Sequence, residues 1–162
     1  MVVHRALVIT ASTRAAAGVW EDRSGPILRD GLVALELIVD GPIVVPDGDM
    51  VEAALRQGVA DGYHLIVTTG GTGLTPTDLT PEMTARVIDR EIPGIAEALR
   101  AGGVAAGVPT AVLSRGIAGV AGASLIVNLP GSPGGVKDGL ATLGPIVRHA
   151  LEQIPGSDHA RS

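Results

Sequence analysis

The chain has 162 residues, the length of one ordinary domain, and it contains no cysteine. The lack of cysteine excludes disulfides, thiolate nucleophiles and cysteine metal sites. The formal net charge is −5, and the sequence has no run of basic residues. Both features argue against nucleic acid as a partner, because binding to a phosphate backbone needs clustered lysine and arginine.

The amino-acid usage also indicates where the protein acts. His4 and Arg5 interrupt the apolar start of the chain, so no signal peptide is predicted. The uncharged stretch 116–135 contains glycines, Asn128 and two prolines, which argues against a membrane helix. We expect a cytoplasmic protein with no membrane partner, consisting of a single domain over residues 1–155 and a flexible C-terminal tail over residues 156–162.

The first half of the chain alternates between strand-like and helix-like segments. Apolar and β-branched residues predict buried strands over residues 6–11, 38–45 and 65–69, with Gly41-Pro42 breaking the second of them. Apolar residues at helical spacing predict helices over residues 24–37 and 49–61. Ser24 is expected to cap the first of these helices, with Pro26 in its first turn.

The second half continues this alternation. A helix is predicted to begin at Thr80-Pro81-Glu82, and Pro93 separates it from another helix over residues 93–102. Two more strands are predicted over residues 110–114 and 124–129. A last helix is predicted from Ser132-Pro133 to about residue 153. The pattern favours an α/β fold with three layers, in which a mostly parallel sheet carries helices on both faces.

Polar and glycine-rich segments follow four of the predicted strands. In an open parallel sheet, ligands bind beyond the carboxyl ends of the strands, so these segments are expected to share one edge. Asp47 follows the second strand, and Asp78 lies in the long segment after the third. The other candidates are Ser12, Thr13, Arg14, Gly70, Gly71, Thr72, Gly73, Thr80, Pro81, Glu82, Asn128, Pro130, Gly131, Ser132 and Pro133.

The glycines after the third strand are the most informative feature. Without side chains they let a ligand approach the backbone closely, and their N–H groups can converge on an anion. The spacing matches neither a Walker A loop nor a dinucleotide-binding motif. A structural interpretation is also open, in which the segment is a long turn with Asp78 and Thr80 as helix caps.

Pro130-Gly131-Ser132-Pro133 offers a second anion site, because the free N–H groups at the start of a helix suit a phosphate. Ser132 either contacts a ligand or caps the helix. Asp47 and Asp78 on one edge would make a reasonable Mg²⁺ site, since Mg²⁺ binds a few carboxylates together with substrate phosphates. For Asp47, capping of the following helix is the alternative.

The remaining candidates have mainly structural interpretations. Arg14 would offset a ligand phosphate, or it is a solvated surface arginine. The four histidines show no zinc spacing, so they are expected to be surface or structural residues. Trp20 and Tyr63 are expected to fill space rather than to stack on a ligand ring.

Three of these motifs occur in an order that resembles the MogA/MoaB family, which shares its fold with the G domains of gephyrin and its plant counterparts. They are Thr68-Thr69-Gly70-Gly71-Thr72-Gly73, Asp78-Leu79-Thr80-Pro81-Glu82 and Asn128-Leu129-Pro130-Gly131-Ser132-Pro133. The segment AAAGVWEDRSGP over residues 15–26 and Arg90-Glu91-Ile92-Pro93-Gly94 are also similar to the family. The resemblance spans residues 6–151.

The resemblance implies a molybdopterin adenylyltransferase, which moves AMP from ATP onto the terminal phosphate of molybdopterin with Mg²⁺ and releases pyrophosphate. It implies a homotrimer that hands its product to a MoeA-type molybdenum insertase. Asp47 and Asp78 match the family's functionally important aspartates, and they would be both catalytic and metal-binding. The glycine and proline segments match pterin- and phosphate-binding stretches, and Ser114-Arg115 matches a stretch near the ligand.

The sequence departs from the family pattern at Thr13, Thr77 and Gly134, where the family often has aspartate, arginine and lysine. A charge-assisted hydrogen bond to a buried phosphate contributes roughly 1.5–3 kcal/mol, so two missing cations bear on activity. These departures support an alternative, a non-catalytic molybdopterin-binding or carrier paralogue. A third interpretation is an oligomeric scaffold whose loops are only structural.

Overall fold

The computed structural model describes residues 2–156, and it contains six strands and seven helices in that range. The strands are β1 (Arg5–Ala11), β2 (Ile38–Val45), β3 (Leu65–Thr69), β4 (Arg90–Glu91), β5 (Ala118–Ala121) and β6 (Ser124–Leu129). The helices are α1 (Thr13–Ala16), α2 (Ser24–Ala34), α3 (Asp49–Ala60), α4 (Thr80–Ala85), α5 (Pro93–Ala105), α6 (Pro133–Leu143) and α7 (Val147–Gln153).

All six strands form one sheet in the order β2-β1-β3-β6-β5-β4. Strands β2, β1, β3 and β6 are parallel, whereas β5 runs antiparallel to both of its neighbours. The sheet is therefore mostly parallel, as the alternation of strands and helices predicts. The four parallel strands point their carboxyl ends to the same edge, and the candidate residues follow those ends.

Two hydrophobic cores lie on opposite faces of the sheet, which confirms the three-layer arrangement. Alternate residues of β1 supply the two cores: Ala6 and Val8 face one, and Leu7 and Ile9 face the other. The first core packs against α2, α5, α6 and α7, and the second against α3 and α4. Aliphatic side chains fill both cores, as expected for a chain with a single tryptophan, a single tyrosine and no phenylalanine.

The predicted strand over residues 110–114 is wrong. Pro109–Leu113 form a short 3₁₀-helix without a buried residue, and the missing strand is β5. The β-branched residues Thr110 and Val112 suggested a strand, whereas the small residues of β5 did not. Gly119 in β5 is needed because a Cβ there would lie 2.5 Å from the backbone oxygen of Arg90 on β4.

Other elements also differ from their predicted course or bounds. The predicted last helix is two helices, because Gly144-Pro145 ends α6 before α7 begins. Strand β2 continues through Gly41-Pro42, although its register against β1 shifts between Leu7 and Ile9. Helix α2 ends at Ala34, three residues before the predicted end.

No helix in the described range is long and apolar enough to cross a membrane. The predicted tail falls outside the described residues except for Gly156.

Candidate active site

The carboxyl edge of the sheet brings together the four segments that follow β1, β2, β3 and β6. We call residues 70–79, after β3, the glycine loop, and residues 130–133, after β6, the proline loop. The two loops are docked on each other: the N–H of Gly70 donates to the Leu129 carbonyl (3.1 Å), and the Thr69 hydroxyl donates to the Pro130 carbonyl (2.7 Å). A Cβ on Gly131 would lie 3.2 Å from the Cα of Gly70, a tight contact, and a Cβ on Gly70 would overlap the backbone oxygen of Ala11.

Asp47, which follows β2, contacts the end of the glycine loop. Its Oδ1 atom accepts hydrogen bonds from the N–H of Gly48 (2.7 Å) and from the Thr80 hydroxyl (3.2 Å), and its Oδ2 atom accepts from the N–H of Leu79 (3.2 Å). It does not cap α3 through its side chain, since that helix begins after Gly48 without a side-chain cap. The carboxylate instead joins the end of β2 to the end of the glycine loop.

Burial raises the pKa of Asp47 above its ordinary value, and the charge of Asp78 acts in the same direction. The hydrogen bonds from Leu79, Gly48 and Thr80 act against this effect by favouring the carboxylate. Two carboxylates that repel each other at one edge are the kind of arrangement that a cation stabilises.

Gly71 provides the space for this carboxylate. Its φ of 68° lies in the left-handed region, and a Cβ there would overlap the Asp47 carboxylate and the Thr80 hydroxyl. Both the backbone conformation and the close approach therefore require glycine.

Asp78 is half-buried and closes the glycine loop on itself. Its Oδ2 atom accepts from the N–H (3.0 Å) and the hydroxyl (2.8 Å) of Thr75, while the N–H of Asp78 donates back to the Thr75 carbonyl (3.0 Å). Its Oδ1 atom accepts no hydrogen bond from the described residues. Asp78 thus closes an internal turn through Oδ2, and the residue also borders the first cleft described below.

Two clefts flank the docked loops and share Gly131. The first has a volume of about 600 Å³ and lies between the two loops, α5, the 3₁₀-helix and α6. Of the candidate residues, it is lined by Gly71, Thr72, Gly73, Asp78, Ser114, Asn128, Pro130, Gly131 and Ser132. Apolar residues such as Leu99 and Val108 also line this cleft.

The second cleft has a volume of about 690 Å³ and lies at the ends of β1 and β3. Of the candidate residues, it is lined by Ser12, Gly70, Gly131 and Pro133. The remaining candidates border neither cleft: Thr13, Arg14, Asp47, Thr80, Pro81, Glu82 and Arg115. The edge therefore brings all the candidates together but presents only part of them to the clefts.

Several candidates make structural hydrogen bonds. Ser132 caps α6 by accepting from the N–H of Gly135 (3.0 Å), and Ser12 caps α1 by accepting from Ala15 (3.2 Å). Thr13 accepts a hydrogen bond from the N–H of Asp47 (3.3 Å). The capping interpretation of Ser132 is confirmed, and it leaves the loop free to contact a ligand through its other groups.

Asn128 is a buried linker between the sheet and α4. Its Nδ2 donates to the hydroxyls of Thr68 and Thr84, each over 2.9 Å, and its Oδ1 accepts from the N–H of Ile117 (3.1 Å). The side chain of Asn128 is thus hydrogen-bonded to three groups of the protein, and the residue also borders the first cleft.

The guanidinium of Arg115 contacts the glycine loop. Its Nε donates to the carbonyl of Gly73 (2.9 Å) and its Nη2 to that of Asp78 (2.6 Å), while its Nη1 pairs with Glu82. Glu82 raises the pKa of Arg115, and Arg115 lowers the pKa of Glu82. Arg115, which the family resemblance implies to lie near the ligand, is thus engaged with the glycine loop itself.

The expected role of Trp20 as a space-filling residue is wrong. Its side chain is 59% exposed, it lines the second cleft, and the guanidinium carbon of Arg14 lies 4.4 Å from its ring centroid. Arg14 is therefore held by a cation–π contact at the rim of the second cleft.

The expectation for the histidines is confirmed for His4 and His64, which form an edge-to-face pair with ring centroids 5.2 Å apart.

Two residues of the site were not singled out from the sequence. Asp22 lines the second cleft, and its carboxylate accepts from the Thr10 hydroxyl (2.9 Å) and from the N–H of Gly25 (3.0 Å). Asp22 thus accepts from an N–H group in the first turn of α2, a role that the sequence assigns to Ser24. The Ser24 hydroxyl instead donates to the carbonyl of Gly131 (2.5 Å). Arg100 lines the first cleft and donates to the carbonyls of Ser114 and Gly116. An aspartate three residues before the Gly25 amide was the available signal for Asp22.

The described residues contain no cluster of three or more histidine, cysteine, aspartate or glutamate side chains that would hold a metal ion by themselves. This is compatible with Mg²⁺, which usually takes only one or two carboxylates and completes its shell with water and substrate phosphates. Asp47 and Asp78 supply two carboxylates at one edge, and the Oδ1 atom of Asp78 accepts no hydrogen bond from the described residues. The residues present therefore fit a Mg²⁺ that arrives with a phosphorylated ligand.

The fold and this edge define a small α/β protein with two clefts that share Gly131 at the carboxyl edge of its sheet. A family model described as "Probable molybdopterin binding domain" matches residues 7–149. The chain belongs to this family, and its neighbours identify the MogA/MoaB branch. The structure of the molybdopterin biosynthesis Mog protein from Mycobacterium ulcerans superposes with a TM-score of 0.89 at 50% identity, covering 96% of this chain and 99% of that one.

Curated relatives are similar over nearly the whole chain. The molybdopterin adenylyltransferase of Helicobacter pylori strain J99 is 38% identical over 155 residues, which cover 93% of this chain and 87% of the relative. A molybdenum cofactor biosynthesis bifunctional protein from Synechococcus elongatus is 41% identical over 155 residues. The matched region covers 95% of this chain but 48% of that relative, so the chain spans about half the length of the bifunctional protein.

Proposed function

We propose that this chain is a molybdopterin adenylyltransferase of molybdenum cofactor biosynthesis, which transfers AMP from ATP to the terminal phosphate of molybdopterin and releases pyrophosphate. The observation that carries the proposal is the pair of clefts that share Gly131 and flank the docked loops. A transfer between two substrates needs two binding spaces that meet where the reacting phosphates lie. Related adenylyltransferases that match most of this chain support the same chemistry.

The residues of the edge suit nucleotidyl transfer. The nucleophile is an anionic phosphate oxygen of molybdopterin, so no strong protein base is required, and catalysis consists of positioning and charge neutralisation. The open backbone of Gly70, Gly71 and Gly131 lets the phosphates approach the chain closely. The start of α6, capped by Ser132, adds the partial positive charge of a helix N-terminus beside them.

Asp47 and Asp78 would hold Mg²⁺, which when bound neutralises charge on the triphosphate. Asp78 borders the first cleft, and Asp47 supports the glycine loop from behind through Leu79 and Thr80. Because lysine is nearly absent from the chain, backbone N–H groups, arginine and the metal share the task of balancing phosphate charge. We further propose that the protein acts as a cytoplasmic homotrimer and delivers its product to a MoeA-type insertase.

The test is product formation from the purified protein with molybdopterin, ATP and Mg²⁺, following adenylylated molybdopterin and pyrophosphate. We expect turnover in the wild-type protein and its loss in Asp78→Asn, with an unchanged unfolding midpoint. Asp30→Asn, an exposed carboxylate on α2, is the matched control and should retain full activity. Binding of molybdopterin without turnover by the wild type would refute the transferase and leave the carrier function.

A further inference from the structure

The middle of the glycine loop, residues 72–78, is attached by hydrogen bonds to one other residue of the described chain. Within the described part of the chain, each hydrogen bond that leaves residues 72–78 for another segment ends on Arg115. The N–H of Arg115 donates to the Thr72 carbonyl (2.9 Å), its Nε to the Gly73 carbonyl (2.9 Å) and its Nη2 to the Asp78 carbonyl (2.6 Å). The other hydrogen bonds of this segment stay inside it and involve Thr75, Thr77 and Asp78.

The guanidinium spans both ends of the segment. Gly73 lies 42 positions and Asp78 37 positions before Arg115 in the sequence, so one planar group draws together the start and the end of the turn. Glu82 on α4 accepts from both terminal nitrogens of the same guanidinium. Glu82 thus orients the planar guanidinium of Arg115 from α4, the helix that follows the glycine loop in the chain.

The segment that carries Arg115 is itself held from α5. Arg100 donates from Nη1 to the carbonyls of Ser114 (3.2 Å) and Gly116 (3.0 Å), one residue on each side of Arg115. A continuous chain of contacts therefore leads from α5 through Arg115 to the backbone of Asp78.

We infer that Arg115 is a positioning residue, which clamps the glycine loop so that the Asp78 carboxylate is held at the edge of the first cleft. The guanidinium donates to main-chain carbonyls of the loop, so its effect on a ligand passes through Asp78. Glu82 orients the clamp, and Arg100 supports it. This inference rests on the proposed adenylyl transfer for its kinetic readout only, since the clamp itself is a property of the protein without ligands.

The variant Arg115→Lys keeps the positive charge but replaces a planar fork by one ammonium group, which cannot reach Gly73, Asp78 and Glu82 in the same geometry. In the ligand-free protein, we expect amide hydrogen exchange over residues 72–78 to accelerate about tenfold, as read at Thr75 and Asp78, whose N–H groups are hydrogen-bonded within the segment. The reason is that the charge-assisted hydrogen bonds that hold the segment are lost. Exchange over α3 should not change. Arg86→Lys, which alters the arginine that directly follows α4 and pairs with Glu52, is the matched control.

The kinetic readout uses the Mg²⁺ dependence of AMP transfer. In Arg115→Lys, we expect kcat to fall about tenfold and the Mg²⁺ concentration at half-maximal rate to rise, because residues that orient a metal ligand change metal affinity by about 10–100-fold. The KM for molybdopterin should stay constant. Added Mg²⁺ should restore part of the rate, which a loss of folded protein would not permit.

Glu82→Gln provides a second, milder variant that keeps both carbonyl contacts. We expect a smaller acceleration of exchange over residues 72–78 than in Arg115→Lys. Unchanged amide exchange over residues 72–78 in both variants would overturn the proposed role of Arg115. If Arg115→Lys fails to fold, unchanged exchange in Glu82→Gln would overturn it. A raised KM for ATP with unchanged exchange would make Arg115 a direct ligand contact. A wild-type protein without AMP transfer would refute the proposed function, while the exchange measurement would still decide the clamp.

Discussion

The hydroxyl of Thr80 donates a hydrogen bond to the Oδ1 atom of Asp47 over 3.2 Å, and so joins the start of α4 to the loop that follows β2. Thr80 is fully buried, and the same carboxylate accepts from the adjacent N–H of Leu79. Asp47 is therefore oriented by groups that lie 32 and 33 positions further along the chain. A carboxylate with this support is pre-organised before any cation arrives.

Replacing Thr80 by valine tests this orientation. Valine has nearly the same shape but no hydroxyl, so Asp47 loses one partner without a cavity being formed. We expect kcat for AMP transfer to fall about 10–100-fold, the range typical of groups that orient a metal ligand. Thr80→Ser retains the hydroxyl and should keep most of the activity. Equal rates for Thr80→Val and the wild type in a steady-state assay would show that the hydrogen bond has no catalytic role.

The second prediction concerns Gly71→Ala. The φ of 68° is unfavourable for alanine, and the added Cβ meets the Asp47 carboxylate and the Thr80 hydroxyl. We expect a loss of about 1–3 kcal/mol in the free energy of unfolding, measured by urea denaturation, together with a loss of AMP transfer.

Gly94→Ala is the matched control for this prediction. Gly94 lies in the first turn of α5, and a Cβ there has open space around it. Alanine should leave activity unchanged and stabilise the protein by about 0.4–1 kcal/mol. If Gly71→Ala and Gly94→Ala have the same stability and activity, the close approach of Asp47 and Thr80 does not require glycine at position 71.

The third prediction separates structure from ligand binding at Asn128. Asn128→Ala would leave the N–H of Ile117 without its partner and remove the links to Thr68 and Thr84. Each buried group without a partner costs about 1–3 kcal/mol, so we expect a marked fall in the urea midpoint. Ser132→Ala, which removes an exposed cap, should cost about 1 kcal/mol and serves as the comparison. An Asn128→Ala protein as stable as the wild type, but unable to bind molybdopterin, would make Asn128 mainly a ligand contact.

The fourth prediction is a pH dependence of stability that originates at His4, on the edge opposite the candidate site. Burial lowers the pKa of His4 below its ordinary value of 6.5, the charges of His64 and Arg148 lower it further, and Glu152 acts against them. The unfolded chain therefore binds a proton more readily than the folded protein between the folded pKa and about 6.5. The stability that follows is complete above pH 6.5 and is lost as the pH falls through this range.

His4→Gln should remove this contribution. We expect the urea midpoint of the wild type to fall more steeply between pH 7.5 and pH 5 than that of the variant, even though the variant loses the ring contact with His64 and is less stable overall. Parallel profiles for the two proteins would assign the acid sensitivity to other groups. AMP transfer at neutral pH should be similar in both, because His4 is distant from the candidate site.

Much of the fold follows from local patterns in the sequence. Apolar, β-branched runs predict strands β1, β2, β3 and β6 within one residue at each end, because such runs are properties of short segments. The placement of Asp47, Asp78 and the two loops at one edge follows from the same patterns, since the carboxyl ends of parallel strands meet there. The 3₁₀-helix over Pro109–Leu113 and the strand β5 were missed because their local composition favours the opposite assignment.

The sequence by itself therefore determined the layers, most of the elements and the edge that carries the candidate site. Only the tertiary structure decided which groups meet: Thr80 with Asp47, Asp22 with Thr10, and Arg115 with the carbonyls of Gly73 and Asp78. The physical reason is the separation of these partners along the chain. Local preferences act over a few residues, whereas the clamp on the glycine loop joins groups 33 to 42 positions apart, and only the packing of α4 and α5 against the sheet brings them together.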